Sequence, residues 1–117
     1  LLFFSASLFA GNYTWNGTTN NNWGTASNWS GGIVPGNNDT ITINSGKPNL
    51  KLDQDRTVNR IVQNGSTIDI DTNQLYVTQR ATFNGGDVIG ESLKLRGTYV
   101  YFQGTDFNCT LDVIVGG

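Results

Sequence analysis

Asp69, Asp71 and Asn73 set oxygen ligands at alternate positions, the spacing with which an EF-hand-like calcium loop opens, and Asp53 and Asp55 repeat it one segment earlier. The rest of such a loop is missing, because Gln74 stands where the sharp turn needs Gly and Arg80 where a bidentate Glu closes the shell. Solvated turn acids are therefore the expectation; Asp69, Asp71 and Asn73 are the sole calcium candidate, and no cofactor is assigned. Trp15, Trp23 and Trp29 offer a second chemistry, since an indole face stacks on the apolar face of a pyranose and three of them could form a platform for sugar rings. The same rings could instead fold over one end of the domain and bury there. Packing is the commoner role of large aromatics, so capping is the preferred reading.

Catalysis has little to work with. The chain contains no His, which excludes Ser/His and Cys/His nucleophilic systems and most zinc sites within it. Carboxylates two apart on a strand, such as Asp53 and Asp55, do not make a glycosidase pair unless neighbouring rungs bring others opposite them. The single cysteine, Cys109, cannot form an internal disulfide, and Asn108 and Thr110 beside it supply no base, so a packed free thiol is expected. Seven Lys and Arg side chains spread from Lys47 to Arg96, in a chain of net charge −2, give no basic stripe for phosphates and exclude nucleic acid as a partner. No enzyme is expected.

These side chains must be positioned by strands. Only 14% of residues are charged, 15 are Gly, and Thr, Val, Ile, Tyr and Phe fill the ordered stretches between Gly, Asn and Asp, a composition of short strands joined by turns. Residues 1–10 form an uncharged apolar run, too short to span a bilayer, that fits the h-region of a secretory signal. Residues 11–38, rich in Trp, Asn and Gly, read as loops pinned by aromatic anchors. Strand alternation starts at Asp39 and runs through Thr40–Ile43, Leu50–Leu52, Val58–Val62, Thr67–Ile70 and Leu75–Val77.

Leu75-Tyr76-Val77, Leu93-Lys94-Leu95 and Leu111-Asp112-Val113 recur every 18 residues, and Val77, Phe83, Ile89, Leu95, Tyr101, Phe107 and Val113 fall at every sixth position. A rung of three six-residue sides, each sending one side chain inward, predicts an all-β, parallel β-solenoid over residues 39–117 with a Trp-rich N-terminal cap. Corners are expected at Asn84-Gly85-Gly86, Gly90-Glu91, Gly97 and Gly104. Each rung leaves an edge that a neighbour must cover, so the native chain is expected to continue past Gly117.

Thr14-Trp15-Asn16-Gly17, Trp23, Asn28-Trp29-Ser30, Pro35 and Asp39-Thr40-Ile41-Thr42-Ile43 together resemble the opening of large secreted and outer-surface proteins of Bacteroidetes-type bacteria. Pro48-Asn49-Leu50, Asn59-Arg60-Ile61, Gly65 to Ile70 and Leu75-Tyr76-Val77 extend the likeness, which covers about residues 13 to 86. The resemblance implies autotransporter-passenger-like β-solenoid stalks, adhesin-like, secreted or displayed on the cell surface, and implies no catalytic residue. The expectation is a structural or adhesive module whose partners are extracellular glycans or other surface proteins. The alternative is a carbohydrate-binding or polysaccharide-cleaving β-helix.

Overall fold

A computed structural model describes residues 10–116; the stretch 1–10 read as an export signal lies outside them except for Ala10. Alternating apolar residues in short β-branched runs must bury one face, and here every run does so against its own copy one turn later. The chain is an all-β, parallel β-solenoid of about four turns with rungs about 19 residues apart. Its strands are β1 (Asn12–Thr14), β2 (Thr40–Ile43), β3 (Leu50–Lys51), β4 (Arg56–Gln63), β5 (Thr67–Asp69), β6 (Gln74–Phe83), β7 (Asp87–Leu95), β8 (Tyr99–Phe102) and β9 (Asp106–Val113).

The long strands bend at rung corners, so each rung has three sides. The first side stacks β1, β2, the second halves of β4 and β6, and β8. The second stacks β3, β5 and the first halves of β7 and β9. The third stacks the first halves of β4 and β6 on the second halves of β7 and β9. Register shifts between Val58 and Arg60, and between Ile89 and Ser92, mark two of the corners, where the inward face must change. Pairing of β1 with β2 means that the stack already begins inside the segment read as loops.

Inward columns of like residues form the core. Ile41, Ile61 and Ala81 lie beneath Val100 on the first side; Leu50, Ile68 and Val88 beneath Phe107 on the second; Val58, Val77 and Leu95 beneath Val113 on the third. The partners stand 18 residues apart between Leu50 and Ile68 but 20 apart between Ile41 and Ile61. That variation breaks the expected six-residue ladder. Val77, Phe83 and Leu95 are fully buried, and Phe107 packs on the core as expected. Tyr101 instead pairs with Thr82 on the outer face, and Ile89 lies between Asp69 and Asn108. The reason is the 19-residue step from Phe83 to Phe102, which puts Phe102 rather than Tyr101 over the inward Phe83 ring, 5.8 Å away and nearly parallel.

The corner after the first side is held by a polar ladder. Asn84 Nδ2 donates to Asn64 Oδ1 at 2.8 Å, and Asn64 Nδ2 donates to Asn44 Oδ1 at 2.9 Å. Just inside it, the buried Gln63 donates from Nε2 to the carbonyls of Ser66 and Asp87, tying two rungs at the turn. The corners expected at Asn84 to Gly86 and at Gly97 are present. Gly97 has φ +103, and a Cβ there would lie 2.4 Å from the Gln79 Cα, so close stacking of successive corners requires Gly.

Candidate functional site

Each tryptophan is fixed through both its ring and its N–H. Trp29 packs edge-on against Trp15 and Trp23 at centroid distances of 5.1 and 5.2 Å. The indole nitrogens of Trp15, Trp23 and Trp29 donate to the carbonyls of Pro48, Pro35 and Trp23. Their exposures are 0%, 0% and 2%, so no ring face is open to a sugar as the chain is folded. Asn28 explains the rest of the motif. Buried beside the rings, it accepts from the backbone N–H groups of Thr19 and Asn20 at Oδ1 and donates from Nδ2 to Asn20 Oδ1 and the Asn22 carbonyl. Ser30 Oγ accepts from Thr14 N, and Asp39 accepts from Gly11 N and Gly36 N, which pins the segment to β1 and β2. The residues of the Trp-rich pattern are packed together as a plug on the first rungs.

The calcium candidate is arranged differently. Asp69 Oδ1 accepts from Asp71 N at 2.9 Å, Asp71 lies 3.9 Å from Lys51 Nζ, and Asn73 Nδ2 donates to the Leu52 carbonyl. The three side chains are turned to separate partners at one corner. Among the described residues no group of three or more His, Cys, Asp or Glu is placed to hold a metal ion. Cys109 is half-buried against the core, and burial pushes its thiol up in pKa, away from the reactive thiolate.

A different set of residues is brought together on the outer face of the first side. The parallel register places Asn12, Thr40, Arg60, Arg80 and Tyr99 in one outward row, each a rung above the last. Thr14, Thr42, Val62, Thr82 and Tyr101 form the row beside it. Between the rows runs an open groove of about 280 Å³. Arg80 lies 4.6 Å from the Tyr99 ring, which in turn stacks on Tyr101 at 6.2 Å. Sequence reasoning passed over this row because Arg60 and Arg80 look scattered until the 20-residue step of this side is known; that step, repeated by Asn44, Asn64 and Asn84, was the available signal.

No helix among the described residues is long and apolar enough to cross a membrane. Comparison with protein-family models, curated proteins and solved structures gave no match.

Proposed function

We propose that this chain is a structural and adhesive module of an exported bacterial surface protein and catalyses no reaction itself. The observation that carries the reading is the stack of parallel rungs begun by a buried plug of three tryptophans. Such a stack grows by repeating one unit, keeps its outer face free for contacts and holds its shape without a disulfide. The chemistry on the outside agrees with this role. Asp112 is held by Arg96 and Asp71 by Lys51, each across neighbouring rungs, and Asp53 by Arg56 within its own corner, so these carboxylates are taken up by separate cations rather than converging on a cleft. The likeness of the Trp-rich opening to secreted Bacteroidetes-type proteins supports the surface location.

Antibody raised against the chain should label intact cells that carry the gene, and protease added outside those cells should remove the label. Labelling only after permeabilisation would overturn the surface reading. Release of reducing ends from a panel of polysaccharides by the purified chain would overturn the absence of catalysis.

A further inference from the structure

We propose that the groove on the first side of the solenoid binds an acidic saccharide, with Arg60 and Arg80 taking its anionic oxygens and a sugar ring lying against Tyr99. The inference gives the adhesive reading a ligand class and rests on it.

The charge pattern comes first. Arg60 and Arg80 are direct partners in the parallel ladder, about 4.8 Å apart along the stack. Two like charges opposite each other cost stability, and a fold that needed only solubility would alternate them with acids. Arg56 and Arg96, the other two arginines of the chain, each hold an aspartate. Neither Arg60 nor Arg80 lies within ion-pair distance of a carboxylate among the described residues. The two outward rows of this side, ten residues from Asn12 to Tyr101, contain no Asp or Glu, in a chain whose net charge is −2. The result is an acid-free cationic strip on an acidic protein. Guanidinium groups held this way match carboxylate and sulfate oxygens in planar, paired hydrogen bonds.

The remaining surface selects among anions. Tyr99 and Tyr101, 38% and 42% exposed, present stacked rings with an apolar face and a phenolic tip. Asn12, Thr40 and Thr82 line the groove with amide and hydroxyl groups suited to a ligand rich in hydroxyls. The volume is at the small end of ligand clefts, which run from about 300 Å³, and the lining residues follow one another up the stack. It therefore suits a segment of a linear chain laid along the solenoid axis. An acidic peptide adding as a β-strand would find its unpaired edge only at β8, beyond Tyr99 and away from the arginine row, because β2, β4 and β6 are paired on both flanks along this side. A nucleic acid gains affinity from each phosphate neutralised, and two arginines neutralise too few.

Binding is measured by titration calorimetry on the full chain with oligogalacturonate, a heparin-derived oligosaccharide, a neutral cello-oligosaccharide and a single-stranded oligonucleotide. At least one acidic saccharide should bind, more weakly as salt is raised, and the neutral one should not. Preference for galacturonate assigns the anion as carboxylate and preference for heparin assigns it as sulfate. The pair Arg60→Gln and Arg80→Gln should weaken binding by roughly tenfold or more, the loss of about 1.4 kcal/mol. Its thermal midpoint should change little, because relief of the like-charge contact offsets loss of the Arg80–Tyr99 cation–π contact. Tyr99→Ala should weaken binding with the fold intact. The proposal is overturned if neither acidic saccharide binds, if the double variant binds as well as the parent, or if the oligonucleotide binds as tightly as the saccharides. A folded chain that fails these tests leaves the surface reading standing, since cell labelling tests that separately.

Discussion

Arg96 reaches one rung along to grip Asp112 with both terminal nitrogens, Nη2 to Oδ2 at 2.9 Å and Nη1 to Oδ1 at 3.2 Å. The bidentate hydrogen bond, with the charge of Arg96 and of nearby Lys94 adding to it, holds the Asp112 carboxyl below the usual carboxylate range. The sign of the pH dependence follows. A depressed folded pKa contributes stability above the unfolded value, about 3.9 for Asp, and that contribution is lost as pH falls through the folded value. Asp112 is exposed, so the effect is small. Thermal melts of the parent and of Asp112→Asn should differ at neutral pH and converge in acid; a gap that widened as pH fell would contradict the assignment. The same residue could be read from sequence as an outward position of an LxV repeat, but its partner could not, because Arg96 sits just past the strand end and only the rung geometry brings it back.

At the scale of the element, each strand must present alternate residues to the core, and adjacent positions should respond oppositely to the same substitution. Leu95 is fully buried on the third side, under Val113 and over Val77. Leu95→Asp places an unpaired carboxylate between apolar rungs, a cost of several kcal/mol against a total stability of about 5–15 kcal/mol, and should unfold the chain. Lys94 points outward with Nζ 4.8 Å from the Tyr76 ring and pairs with Asp112 across the ladder. Lys94→Asp removes the cation–π contact and sets two carboxylates opposite each other, so about 1 kcal/mol is expected. Denaturant melts in which Lys94→Asp proved the more damaging would invert the register of the third side.

The third side was legible in the sequence because its Leu-x-Leu and Leu-x-Val triplets keep an 18-residue step from β6 through β9. The first side was not. Its step is 20 residues and then 19, because the corners between the second and third sides and between the third and first sides change length from turn to turn, and a fixed period drifts out of phase there. Buried polar residues hid the pattern further: Gln63 stands in the inward column between Ile43 and Phe83, where an apolar count sees a gap. The tryptophans were legible as anchors, and Asn28, which looks like one more turn residue, was not.

The first and last described rungs obey different rules. At the first described rungs, Trp15, Trp23 and Trp29 form a plug whose three indole rings are buried. At the last rung, β8 pairs only with β6 and β9 only with β7, and Phe102 and Ile114 are 48% and 63% exposed beside Leu111 and Val113. An edge with free N–H and C=O groups and a strip of apolar side chains is a template for pairing with another strand. Residues 10–116 taken alone should therefore self-associate through this rung as their concentration rises. Lysines on an edge strand oppose such pairing by charge, so Leu111→Lys with Ile114→Lys should keep the chain monomeric in sedimentation velocity. Ile114 is 63% exposed, and Leu111, which ends the inward column over the buried Leu93, is 39% exposed, so the double variant should stay folded at a cost of about 1–3 kcal/mol. Trp29→Ala opens the plug and should cost about 3–5 kcal/mol without relieving the association. A parent chain that stays monomeric at every concentration, or a double variant that associates as strongly as the parent, would show that the last rung is not the sticky end.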